Sequence, residues 1–224
     1  MRNKTFISSM VGVAAAVAVA GSANAGVVDP FTTTQAFGTD SLTGFVSISG
    51  GLFNQRNAVR TTFAGGTGVS QPNNNVAFTT RKAGFGVVSL SYQNSGGSSN
   101  DLSLITEMSI ALSALNLSNG ATGVSFSWLV TDVNTKQMYA NQDLFSNGTS
   151  TFDFAAATKD LGFDQTKVTT LQLSVTQIGG PTSASSPVTV SGTLSNFSYT
   201  AVPAPGALAL LGAAGLVGAR RRRA

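Results

Sequence analysis

Leu102-Ser103-Leu104-Ile105-Thr106-Glu107-Met108-Ser109-Ile110-Ala111-Leu112 is the stretch on which the fold class turns. Leu102, Leu104, Thr106, Met108, Ile110 and Leu112 alternate with Ser103, Ile105, Glu107, Ser109 and Ala111. That period of two lays one side of a long strand on a core and leaves the other to solvent. Downstream, Val124, Phe126, Trp128 and Val130 alternate in the same way with Ser125, Ser127, Leu129 and Thr131, and so do Leu171, Leu173 and Val175 with their neighbours. Asp132-Val133-Asn134-Thr135-Lys136 then reads as the turn of a hairpin into Gln137-Met138-Tyr139, because Asp and Asn tolerate turn geometry.

Further strands are expected at 42–49, 59–63, 76–80, 86–93, 150–154 and 188–199, with loops at Asn119-Gly120, Asn147-Gly148 and Ser95 to Asn100. The only helical turn predicted is Ala155 to Leu161. Composition agrees with an all-β chain. Ser and Thr supply 49 of the 175 residues from 26 to 200 and Glu occurs once, so strong helix formers are scarce. The Ser95–Asn100 loop is flexible enough in composition to separate two domains. Because strands on both sides of it have one polar and one apolar face, a single β-sandwich over residues 26–200 is the preferred reading.

The 224-residue chain has no cysteine and no histidine. Disulfides, thiolate nucleophiles, imidazole bases and the usual zinc sites are therefore excluded, and only oxygen ligands for a hard cation remain. Calcium is the one cofactor left open, at Asp132-Val133-Asn134 and at Asp160 to Asp164; neither continues into an EF-hand loop, and turn stabilisation is the preferred role. No Gly-x-Ser-x-Gly elbow occurs, and Glu107 and the aspartates fall on polar strand faces or in turns, so the reading is of a protein that is not an enzyme. A carboxylate-dependent hydrolase ranks below it. For carbohydrate binding, Trp128 and Phe126 belong to the core phase, which leaves Tyr92 and Tyr139 as the aromatic candidates for stacking on sugar.

Both ends carry a different kind of signal. Residues 1–25 hold Arg2 and Lys4, an apolar run from Met10 to Ala20, and Ala23-Asn24-Ala25. This order is that of a secretory signal, with Ala23 and Ala25 as the small residues signal peptidase requires and Gly26 as the first mature residue. At the other end come Val202-Pro203-Ala204-Pro205-Gly206, a 13-residue run from Gly206 to Gly218 of only Gly, Ala, Leu and Val, and Arg220, Arg221, Arg222 and Arg223. As a helix at ~1.5 Å per residue, such a run reaches ~20 Å, short of a ~30 Å hydrocarbon core. The four arginines hold the extreme C-terminus on the cytoplasmic side.

The net charge of +4 is made by these ends. Residues 26–200 carry seven basic and nine acidic side chains, a net of −2, which removes the electrostatic case for nucleic acid.

Residues 202–224 resemble the PEP-CTERM sorting signal of Gram-negative bacteria in order, spacing and composition, with Ala204 standing where that signature has Glu. The resemblance implies processing by a membrane protease of the exosortase type. It also implies transient anchoring in the inner membrane by the short apolar helix of 201–224, and release to the cell surface or the extracellular polysaccharide matrix. The body from Phe152 to Tyr199 resembles the jelly-roll-like sandwiches found ahead of such tails: an aromatic-ended strand, a short helical turn, then strands like Val168–Leu173 and Gly192–Tyr199. That pattern often has an Asp-Asn pair where this chain has Ser195-Asn196, so a carboxylate of any implied calcium site is missing. The expectation is an exported protein with a structural or adhesive role; the alternative is an exopolysaccharide-binding module.

Overall fold

The computed structural model describes residues 24–35, 38–39, 44–61, 75–82, 87–180 and 188–203. Residues 1–23 of the expected signal at 1–25, and residues 204–224 of the expected sorting segment at 201–224, lie outside the described residues.

Thirteen strands are present among the described residues: β1 Asn24–Asp29, β2 Gly38–Thr39, β3 Val46–Ser47, β4 Gln55–Thr61, β5 Val76–Lys82, β6 Val87–Gln93, β7 Ile105–Leu117, β8 Ala121–Asp132, β9 Gln137–Leu144, β10 Gly148–Asp153, β11 Thr158–Lys159, β12 Val168–Gly179 and β13 Val188–Ala201. They form two sheets, as the alternation implied. One runs β1-β13-β7-β10 with β5 also on β13; the other runs β11-β9-β8-β12-β6-β4-β2 with β3 also on β4. Each sheet draws strands from both sides of Ser95–Asn100, so a cut there would divide both.

The sheets meet over one apolar layer. Val124, Phe126, Trp128 and Val130 of β8 and Leu171, Leu173 and Val175 of β12 point inward, toward Met108, Ile110 and Leu112 of β7 and Phe197 of β13. Trp128 joins the layers, stacked on Phe152 at 5.8 Å and edge-on to Phe197 at 5.6 Å, while its indole N–H donates to Ser150 Oγ at 2.9 Å. Fully burying side chains of this size is worth about 1.5–3 kcal/mol each, so this layer dominates the stability of the sandwich. Gly192 permits its closure at one point, because a Cβ there would come within 2.9 Å of both Leu112 Cδ1 and Phe78 Cε1.

Three local expectations change. In β7 the inward phase holds at Met108, Ile110 and Leu112 but reverses upstream, where Ile105 is buried and Leu104 is 39% exposed. The cause is a register shift against β13 between Thr200 and Ala201, since one extra residue in a strand flips every side chain beyond it. The segment Ala155–Leu161 is a turn and not a helix. Asp153 caps it through Oδ1, which accepts from the N–H of Ala155 at 2.7 Å and of Ala156 at 3.3 Å, and Thr158–Lys159 then pairs with β9 as β11. From 42–49 only Val46–Ser47 is a strand among the described residues.

The chain crosses between sheets after β1, and a buried ion pair fastens the crossing. Arg56 Nη1 donates to Asp29 Oδ2 at 2.6 Å with both side chains fully buried. The same guanidinium donates through Nη2 to the Thr33 carbonyl at 2.6 Å and through Nε to Gln35 Oε1 at 3.2 Å. It also lies 5.6 Å from the ring centre of Phe31, whose N–H donates to Asp29 Oδ1 at 2.7 Å and whose φ is +51°. A bulky residue rarely holds that backbone conformation without such fixing.

Candidate functional site

The outer face of the larger sheet collects the polar phase of five strands into registered rows. Tyr139 of β9 stands beside Leu129 of β8, then Gln172 of β12 and Ser91 of β6. The next row is Asn141, Ser127, Ser174 and Ser89; the row on the other side of Tyr139 is Gln137, Thr131, Thr170, Gln93 and Gln55. Beyond Asn141 lies Asp143 with Ser125 and Thr176.

Neighbouring strands are ~4.8 Å apart and alternate residues ~6.8 Å apart, so these side chains form a regular grid of amides and hydroxyls. Asp143 is the one charged residue in these rows. Part of the grid is already cross-linked: Ser89 Oγ lies 2.8 Å from Ser174 Oγ, Gln172 Nε2 donates to Ser174 Oγ at 3.2 Å, and Gln93 Nε2 donates to Gln55 Oε1 at 3.3 Å. Fixed in this way, the amides present directed donors and acceptors with little rotamer entropy left to lose.

Tyr139 is 43% exposed on this face, with β11 beside it through Thr158. Its neighbour Met138 points into the core, so the phase of β9 sends the Tyr139 ring outward. Tyr92, the other aromatic candidate, is corrected by the structure. It has no exposed surface, and its ring packs 5.5 Å from Phe197 and 6.4 Å from Phe53. No sugar reaches it there.

The carboxylates read as calcium candidates accept hydrogen bonds from within the protein. Asp132 Oδ1 accepts from the N–H of Asn134 at 2.8 Å and of Lys136 at 2.9 Å, and Oδ2 accepts from Asp164 N–H at 2.9 Å. Burial pushes this carboxyl up, but the three backbone donors outweigh burial and hold it below the usual carboxylate range. Asp160 Oδ2 accepts from Gln137 N–H at 2.9 Å, and Asp164 Oδ1 accepts from the Thr166 hydroxyl at 2.6 Å. Among the described residues no three carboxylates come together as a metal-binding group. Glu107 lies on the opposite sheet from Asp132, paired with Asp153 across β7 and β10.

Sequence reasoning missed the amides. Gln55, Gln93, Gln137, Asn141 and Gln172 are scattered along the chain, and only the register of five strands brings them together. Of the residues expected to form a sorting motif, Val202 and Pro203 are described: Val202 N–H donates to the Leu104 carbonyl at 2.9 Å, and Val202 is 46% exposed. Ala204, Pro205, Gly206 and Arg220 to Arg223 lie outside the described residues, as does Ala23.

No protein-family model matches the chain, and no curated protein matches it. Among solved structures, an agarase aligns with a TM-score of 0.41 and 11% identity over 60% of this chain, which spans 23% of that protein's length. A family 30 carbohydrate-binding module aligns at 0.38 with 14% identity, covering 78% of this chain and 91% of the module. The family 30 module of a Clostridium thermocellum cellulosomal cellulase aligns at 0.36 with 13% identity, over 75% of this chain and 98% of the module. At these scores the alignments assign neither ligand nor activity to this chain.

Proposed function

We propose that the body of this protein is a non-catalytic module that binds a neutral polysaccharide across the outer face of the larger sheet. The observation that carries the reading is the grid itself: amides and hydroxyls in register on five strands, one exposed tyrosine among them, and almost no charge. Sugars offer the complementary chemistry, with hydroxyls that donate and accept around the ring and apolar C–H faces that pack on an aromatic. A glycan laid along β9 would meet Gln137 and Asn141 on either side of the Tyr139 ring, and one laid across the strands would pass from Tyr139 over Leu129 to Gln172.

Retention in native gels cast with neutral polysaccharides (agarose, laminarin, xyloglucan) tests this reading. Tyr139→Ala and Gln172→Ala are each expected to weaken retention about three- to tenfold, the loss of about 0.5–1.5 kcal/mol that goes with one aromatic or neutral hydrogen-bonding contact. Retention unchanged in the double variant would sink it.

Delivery follows from the ends of the chain. In this proposal residues 1–25 export the module and residues 201–224 present it to an exosortase-type protease, which places it at the cell surface or in an exopolysaccharide matrix as a structural or adhesive component. What supports this is the order of prolines, short apolar run and arginines after β13. Fractionation of cells expressing the intact chain or a chain ending at Ala201 checks it: the two are expected in different compartments, and identical location and mass would overturn the sorting role.

A further inference from the structure

Both segments expected to meet a membrane join the sandwich at one end. Asn24, the first residue of β1, pairs with Ala201, the last of β13. Three residues separate Asn24 from the apolar run that ends at Ala20, and three separate Val202 from the run that begins at Gly206. Fully extended, each connection spans at most ~14 Å.

The loops of that end are tied to one another. Val202 N–H donates to the Leu104 carbonyl and Leu102 N–H to the Gln165 carbonyl, both at 2.9 Å; Val133 N–H donates to the Lys167 carbonyl at 3.0 Å and Asp160 N–H to the Gln137 carbonyl at 2.8 Å. Among them stand Leu104, Val133, Leu161 and Val202, four of the seven large apolar side chains exposed among the described residues. Single exposed apolar residues are ordinary on a protein surface, whereas apolar groups gathered in one place mark a site of contact. Leu161 is 98% exposed, yet its backbone is fixed. The Phe163 N–H closes a turn onto the Asp160 carbonyl at 3.1 Å, with Leu161 as its first corner and Gly162, at φ +83°, as its second. Asp160 Oδ2 accepts from Gln137 N–H and Asp164 N–H donates to Asp132 Oδ2, each at 2.9 Å, so both ends of the turn are held to the β8–β9 hairpin. An apolar side chain presented in this way loses little backbone freedom when something covers it.

We propose that this end of the sandwich rests on a lipid surface while the chain is anchored, with Leu161 and Val133 entering the interface and Leu104 and Val202 beside the point of exit. The placement rests on the reading of residues 1–25 and 201–224 as membrane-directed. Lipid is the occupant because both apolar runs begin no more than three residues from this end, so a bilayer that holds either of them lies within reach of the tips. Lys136, Lys159 and Lys167 stand among Asp101, Asp153, Asp160 and Asp164, which leaves no excess of positive charge to select anionic headgroups; a zwitterionic surface suffices. In this orientation the strands point at the bilayer, and the rows on the outer face of the larger sheet stay open to polysaccharide.

Tryptophan quenching in the intact chain, reconstituted in phosphatidylcholine vesicles with brominated acyl chains, tests the placement. Trp128 is the only native tryptophan and is buried in the core, so the parent protein gives the background. At the ~5–10 Å depth of interfacial apolar groups, Leu161→Trp is expected to lose at least about half of its added emission, more with bromine near the headgroup than near the chain end. Phe145 is 62% exposed just beyond the far end of β9, and Phe145→Trp is expected to be unquenched. Leu211→Trp, inside the apolar run, reports the anchoring itself. Quenching of Leu211→Trp without quenching of Leu161→Trp would overturn the proposal and leave the anchoring standing, as would equal quenching of Leu161→Trp and Phe145→Trp. Quenching at neither position 161 nor position 211 would remove the anchoring and the proposal with it. An indole at position 161 shielded from iodide but not quenched by bromine would mean that a second copy of the chain covers the turn, which also overturns the proposal.

Discussion

At Asp132 one carboxylate serves three backbone donors from two segments, the 132–136 hairpin turn and Asp164. Replacing it with alanine removes all three acceptors, and a loss of about 1–3 kcal/mol is expected in chemical denaturation. Its folded-state pKa is lowered, so the stability it contributes is fully present above the unfolded value of ~3.9 and disappears as pH falls through the folded value. Asp164 is lowered as well, chiefly by the Thr166 hydroxyl, and Asp101 chiefly by Ser103, so their contributions vanish in the same acid window. The parent protein is therefore expected to lose stability steadily below about pH 4, and Asp132→Asn to show a shallower loss; equal slopes would contradict this account. The Asp29–Arg56 pair makes the opposite kind of prediction. Arg56→Met alone strands a buried carboxylate and is expected to cost about 3–5 kcal/mol, whereas Asp29→Leu with Arg56→Met is expected to recover most of it, since a buried pair barely repays its desolvation. Denaturant midpoints of the three proteins decide between the two outcomes.

Single strands show what the sequence could and could not reveal. β8 and β12 were legible because their inward phase is unbroken over Val124–Val130 and Leu171–Val175. β7 was legible only in its middle, because the bulge opposite Thr200 and Ala201 is a property of the pair and not of either strand. Tyr92 was misplaced although its phase was visible, since Val88, Leu90 and Tyr92 share the inward side of β6 and burial followed that phase over the polarity of the hydroxyl. The amides and the Asp29–Arg56 pair left no local pattern, being joined by register and by a crossing between sheets. One edge also shows a device hidden from sequence. On the open side of β10, Thr151 N–H donates to Gln142 Oε1 at 2.6 Å, so a side chain of β9 covers an edge that would otherwise be available to another chain. Gln142→Ala is expected to leave monomer stability within about 1.5 kcal/mol of the parent but to raise self-association. Light scattering over a concentration series checks this, and an unchanged mass would show that the edge is protected by something else.

For the whole molecule, charge separates the ends from the body. The positive charges of the chain that exceed its acids lie in residues 1–25 and 220–223, whereas residues 26–200 carry a net of −2 and the grid on the larger sheet holds only Asp143 as a charged group. A ligand attracted by electrostatics would lose affinity as salt shortens the screening length, from above about 10 Å at about 0.05 M to well under about 8 Å at about 0.5 M. Hydrogen bonds from fixed amides and contact with the Tyr139 ring do not carry that dependence, because neither partner brings a counterion to release. Retention on a neutral polysaccharide is therefore expected to change less than about twofold across that range of salt, and retention on a sulfated or carboxylated one to be weak at every point in it. A steep loss of retention with salt would mean that the ligand is held by charge, which the grid does not offer, and would move the binding surface away from this face of the sandwich.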